Sequence, residues 1–237
     1  MNTKYKVRKD ISKTFRGKTI YRIEALKDFG DVKKGDLGGW IEKEFFLSDK
    51  GNCWIYDNAI VIGDSRVMCN AKVCNNVIVY GSVTINGNAI VKDNAKLCGY
   101  VKVNDNAIIE GSAVVRGYAS IAGSAKVCDN ATIKDKATLS GNCIAKENSI
   151  IGGFANVCDH AEIGGESRIK DNVTIGGKTE TTDYVIIKDR AIVSANIILM
   201  DDVIIKSDFV LELTDNKLIS DYVMLEITET ILDKWEK

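Results

Sequence analysis

Polar and apolar positions recur every six residues from residue 57 to residue 206, with no residue gained or lost. The run reads DNAIVI, GDSRVM, CNAKVC, NNVIVY and onward to DDVIIK, and GNCWIY at Gly51 precedes it in phase. The first position is Gly, Asp or Asn in 22 of the 25 units, so nearly every unit begins with a residue that tolerates left-handed backbone and caps its own turn. The third position is always small or β-branched, and the fifth is Val, Ile or Leu except at Ala145 and Thr181. In extended chain the third and fifth positions project to one side while the fourth and sixth project to the other. The pattern therefore predicts short strands joined by sharp corners. Three strands complete a triangular coil of eighteen residues, and about eight coils stacked at ~4.8 Å form parallel ladders. The fold class expected is all-β, a single-stranded parallel β-helix.

The complete lack of proline fits a ladder that uses nearly every backbone N–H. A stack of coils has raw edges at both ends, so the flanking segments read as caps. Residues 1–50 form the expected N-terminal β cap, with a strand over 19–26, turns over 34–39, and Trp40, Phe45 and Phe46 covering the first coil. The repeat occupies 51–206. The period slips after Glu212, and residues 207–237 are expected to form a C-terminal cap. There Ile227, Ile231, Leu232 and Trp235 make one stripe of a short helix over 226–235.

The hexad resembles the repeat of left-handed parallel β-helices over about two thirds of the chain; left-handedness comes from that resemblance, since parallel crossovers are ordinarily right-handed. Residues 28–44, DFGDVKKGDLGGWIEKE, running into GNCWIYD at 51–57, are similar to a group of phage- and prophage-encoded hexapeptide-repeat proteins. That group is loosely labelled as transferases or polymer-forming proteins, and the resemblance implies no established chemistry.

A net charge of −1 excludes binding of nucleic acid by bulk charge. The first ten residues are polar and basic, and no stretch approaches a membrane span, so a cytoplasmic protein is expected, in the host cell if phage-encoded. The repeat also absorbs the cysteines. Cys53 and Cys143 fall at inward third positions, and Cys74, Cys98, Cys128 and Cys158 at outward sixth positions. Only Cys74 and Cys128 of these four share a face, three coils or ~14 Å apart, too far for a disulfide or a shared zinc. Reduced thiols and no metal site are expected.

The resemblance to hexapeptide β-helices implies acyl transfer as one possible chemistry, with a histidine as general base and acetyl-coenzyme A in a groove between subunits. The one histidine, His160, stands at a corner position that Asn occupies in many other units, with Glu162 two residues along. The same slot suits a water-facing corner side chain. Acyltransferases of this architecture usually interrupt a coil with a projecting loop, and the repeat here runs without insertion.

Residues eighteen apart should stack in columns. Sixth positions on one face run Arg116, Lys134, Gly152, Lys170, Lys188, Lys206, and Asp135, Asp171 and Asp189 directly follow three of these lysines. Unscreened neighbours ~4.8 Å apart repel by about 0.9 kcal/mol in water, so the column invites either neutralisation by those carboxylates or an anionic partner. Fourth positions of the same face run Ile60, Ile78, Lys96, Val114, Thr132, Ile150, Arg168, Ile186, Ile204, whereas a second face carries Arg66, Thr84, Lys102, Ser120, Thr138, Asn156, Thr174. An aliphatic column beside a basic one on one side reads either as a protein interface or as simple β propensity.

The leading expectation is a non-catalytic β-helical scaffold of phage type with no cofactor. It would self-associate as a dimer or trimer and engage a host protein, one use being inhibition of a host defence complex such as a CRISPR effector. The alternative is an acyltransferase using acetyl-coenzyme A with His160 as base. A weaker alternative is a binder of nucleic acid or a cyclic nucleotide along the basic column.

Overall fold

Each hexad becomes a strand of two to five residues followed by a corner, and the corner conformation is written in its first residue. In the computed structural model, which describes residues 4–206, 210–211, 217–219 and 223–226, Asp57, Asn75, Asp93, Asp105, Asp129, Asp135, Asp159, Asp171, Asp183, Asp189 and Asp201 all have φ between 53° and 66°. Cys69 and Glu147 reach the same φ, 58°, and glycine fills the same position at most other corners. Gly153, at φ +67°, shows why: a Cβ there would stand 2.4 Å from the Asp171 nitrogen of the next coil. The aspartates add a bond of their own. The carboxylate of Asp135 accepts the N–H of Gly153 at 3.0 Å, and that of Asp159 accepts the N–H of Gly177 at 2.9 Å, so corners of successive coils are stapled.

The chain forms two compact units, Met1–Gly117 and Tyr118–Lys237. In the first, three parallel ladders advance by eighteen residues: Ile60 pairs with Ile78, Ile78 with Lys96 and Lys96 with Val114. In the second, Thr132 pairs with Ile150, Ile150 with Arg168, Arg168 with Ile186 and Ile186 with Ile204. The ladder bonds run through the corners too, as in Thr132 N–H to Ser149 O at 2.9 Å, Lys134 N–H to Ile151 O at 2.9 Å and Lys136 N–H to Gly153 O at 2.8 Å. No backbone nitrogen in this sequence of bonds could belong to proline.

Inward third and fifth positions are buried, as in Ala131, Ile133, Ala137 and Leu139. Small residues at the third position sit beside the corners, and aliphatics at the fifth fill the interior. The exception Thr181 is inward as well, accepting a hydrogen bond at 2.9 Å from the Ser167 hydroxyl, which pairs two buried hydroxyls across the core.

Stacking reaches beyond residues 51–206, and about ten turns replace the eight expected. At the front, strand β3 (Leu37–Ile41) pairs parallel with Ile60–Val61, Trp40 opposite Ile60. Strands β1 (Tyr5–Phe15) and β2 (Lys18–Ala25) form an antiparallel hairpin that joins the same sheet through β3. The strand expected over 19–26 is thus β2. This hairpin covers the start of the first unit's aliphatic column. Ile60 and Ile62 are buried, in one cluster with Ile20 of the hairpin against which Phe15, Trp40 and Tyr80 pack. Their apolar side chains are intrachain core, covered from outside. The aromatic cap divides in a way sequence did not foresee: at the 3-10 turn Glu44–Phe46, Phe46 is buried while Phe45, edge-on to it at 4.8 Å, is 58% exposed. Trp54 is the larger plug, edge-on to Tyr5 and Phe29.

At the other end, Val210–Leu211 still follows the eighteen-residue register. Lys217–Ile219 and Val223–Glu226 instead pair with Ile197–Leu199 and Val203–Lys206, Ile198 opposite Leu218, a step of twenty. The slip after Glu212 is therefore two extra residues in a coil that continues. Glu226 ends a strand, and the rest of the helix expected over 226–235 lies outside the described residues.

Candidate functional surfaces

The register places the residues singled out from sequence. In the second unit Lys134, Gly152, Lys170, Lys188 and Lys206 follow one another along a single sheet, beside Thr132, Ile150, Arg168, Ile186 and Ile204. Lys170 and Arg168 are exposed, while Lys134, Lys188, Lys206, Ile150, Ile186 and Ile204 are half-buried. Arg116 belongs to the first unit, where it is exposed and continues the column Tyr80, Cys98.

Contacts within the basic column differ from simple neutralisation. A Cβ on Gly152 would meet the Lys134 side chain at 2.8 Å and Asp135 Oδ2 at 2.8 Å, so the lysine stem lies in the space the glycine leaves open. Asp135 directs its carboxylate to the Gly153 N–H, and Asp171 directs its own to the Asp189 N–H at 3.3 Å. These carboxylates act first as corner staples. Arg168 turns its guanidinium over the Tyr184 ring at 5.5 Å.

His160 and Glu162 do not form a pair. His160 is exposed and its Nε2 lies 3.2 Å from Asn142 Nδ2, one coil earlier, so the imidazole replaces a rung in a corner column of amides. Comparable rungs join Asn70 to Asn88 and Asn88 to Asn106 at 3.0 Å in the first unit. Glu162 forms an ion pair with Lys146, whose side chain runs over the open Cα of Gly164 and whose pKa is raised by that hydrogen bond.

The cysteines are free thiols, and no group of three or more His, Cys, Asp or Glu able to hold a metal occurs among the described residues. Burial pushes the Cys143 thiol up to about 12 and the Cys74 thiol to about 11. Such thiols are poor nucleophiles at neutral pH. No helix among the described residues is long and apolar enough to cross a membrane.

One surface was missed from sequence because only fourth and sixth positions were read as columns. At second positions, the corner of the second unit that leads into Ser120–Ile121 carries Tyr118, Lys136, Phe154, Asn172 and Arg190. Tyr118 is 60% and Phe154 61% exposed. The same eighteen-residue count applied to second positions would have found it.

Fold and surface together define a β-solenoid of hexapeptide repeats whose outer faces carry distinct columns. No family model matches the chain. A stretch of 65 residues, 27% of the chain, is 42% identical to a protein of Escherichia coli (strain K12) named an uncharacterized acetyltransferase, YdcK. The chain matches about a fifth of that relative's length, 20%.

Proposed function

We propose that this protein is a non-catalytic β-solenoid scaffold that captures partners along its lateral columns and self-associates. The observation carrying this reading is the state of the one histidine: His160 serves as a rung beside Asn142, while the carboxylate two residues on is held by Lys146. A general base needs an acceptor nitrogen facing a bound hydroxyl or amine, with its partner carboxylate orienting the ring. Here both groups are engaged in stacking one coil on the next. The half-buried Ile186 and the neighbouring Lys170 and Lys188 are the proposed contact for a protein partner. A role against a host defence complex draws only on the resemblance of residues 28–57.

The name of the partial relative favours one second reading, acyl transfer from acetyl-coenzyme A with His160 as base. Isothermal titration of the full chain with acetyl-coenzyme A separates the two. Silence up to about 1 mM is expected of the scaffold, and saturable binding below that concentration would replace it with the transferase. In a pulldown, the triple variant Lys170→Glu, Lys188→Glu, Ile186→Glu is expected to lose partner capture. Undiminished capture would remove this face from the proposal.

A further inference from the structure

The corner carrying Tyr118, Lys136 and Phe154 departs from what the fold asks of a corner. Each of the other two corners of the second unit includes a pair of side chains bonded from one coil to the next, Asn130 to Asn148 at 3.3 Å and Asn142 to His160 at 3.2 Å. At this one, large rings stand more than half in water. Rings this exposed leave apolar area open to a partner.

Three features describe that partner. First, a cation and two rings share one column: Lys136 stands one coil from each of Tyr118 and Phe154, and its Nζ lies over the Phe154 ring, 4.8 Å from the centroid. The two rings are two coils apart, ~9.6 Å along the ladder. Second, one flank of the corner is the basic column. At the first, second and sixth hexad positions of this corner and flank, from residue 134 to residue 190, the cations are Lys134, Lys136, Lys170, Lys188 and Arg190 and the carboxylates Asp135, Asp171 and Asp189, two of which already accept backbone N–H groups. Third, the other flank is uncharged at its outward fourth and sixth positions. Its outward positions include Ser120, Thr138, Ser140, Asn156 and Thr174, with hydroxyls and an amide but no carboxylate.

We infer that this corner of the second unit binds a single-stranded polynucleotide, the bases stacking on Tyr118 and Phe154, the linking phosphate meeting Lys136, and the backbone following the basic column. Aromatic platforms bordered by a positive groove are how proteins hold single strands without reading sequence, because every base has a π face. The uncharged flank supplies hydrogen-bond partners for base edges without repelling phosphate. This deepens the scaffold reading and rests on it, by naming the chemical class of one partner.

Fluorescence anisotropy of the full chain with labelled twenty-residue oligothymidylate and oligouridylate tests the inference. Binding is expected to weaken linearly in log salt. The double variant Tyr118→Leu, Phe154→Leu, which keeps apolar bulk and removes the rings, should weaken binding by roughly tenfold or more with the salt slope unchanged. The triple variant Lys136→Gln, Lys170→Gln, Lys188→Gln should lower the slope by about two. Circular dichroism and urea midpoints equal to those of the parent establish that these surface variants are folded. Absence of oligonucleotide binding, a ring variant that binds like the parent, or equal competition by dextran sulfate, an acidic polysaccharide without bases, would each overturn the inference. Acetyl-coenzyme A binding would remove the scaffold reading itself, whereas a silent acetyl-coenzyme A titration with no oligonucleotide binding removes the polynucleotide site alone.

Discussion

Residue identity in this protein is set mainly by position within the hexad. An aspartate at the first position satisfies three demands together: it tolerates a φ near +60°, it terminates the strand, and its carboxylate holds the next corner's N–H. Cysteine at an inward position acts as a small apolar residue. Cys143 is fully buried and its thiol is raised from an ordinary value near 9 to about 12. A group whose folded pKa is raised contributes stability that is complete below its unfolded pKa and lost as pH rises through the folded value. The urea midpoint of the parent should accordingly fall between about pH 9 and pH 12, and the fall should be shallower in Cys143→Ala; equal slopes would refute the assignment. At pH 8 the exposed Cys69 should react with a disulfide reagent while Cys53 and Cys143 stay protected.

At the scale of elements, the same outward isoleucine has different meanings in different coils. Ile60 is 7% exposed beneath the hairpin of β1 and β2, with Ile20, Phe15 and Tyr80 around it. Ile150 holds the equivalent hexad position in the second unit and is half-exposed. Replacing Ile60 by Lys buries an unpaired charge and should cost about 2–4 kcal/mol of unfolding free energy. Ile150→Lys should stay within about 1 kcal/mol. Equal costs measured by urea titration would mean that the hairpin does not cover the column. The hairpin's outer strand β1 is the edge of its sheet and carries Lys6, Arg8, Lys9 and Lys13, which discourage another strand from adding there.

For the molecule as a whole, the governing quantity is the length of a circuit. Eighteen residues return each side chain to the same column, and the ladders keep that step from Trp54 through Ile108 in the first unit and from Ser120 through Val210 in the second. Duplicating residues 132–149 adds one whole coil and should leave a soluble, cooperatively unfolding protein. A single glycine inserted after Asn148 would shift inward and outward residues by one within that coil and should lower the midpoint sharply or abolish soluble expression. Similar stability of the two variants would show that the period is not what holds the stack. Where the chain does change the step, at β3 and again at Lys217–Ile219, it adds two residues, an even number that preserves the side-chain alternation.

The repeat was legible without coordinates because its period, corner residues and inward pair all depend on local rules: backbone tolerance at the first position and alternation at the third and fifth. The lateral basic column followed from counting in eighteens, as did the aromatic corner once second positions are counted too. What a linear pattern does not contain is which outward residues are covered and what each polar group bonds to. Burial of Ile60 and Ile62 by the hairpin, exposure of Phe45 beside buried Phe46, and engagement of His160 with Asn142 rather than Glu162 were all decided by packing between segments. The sequence by itself determined the solenoid, since every hexad demands the same neighbours above and below. Only the tertiary structure decided which of its described surfaces are covered, because that depends on where the non-repeating N-terminal hairpin packs.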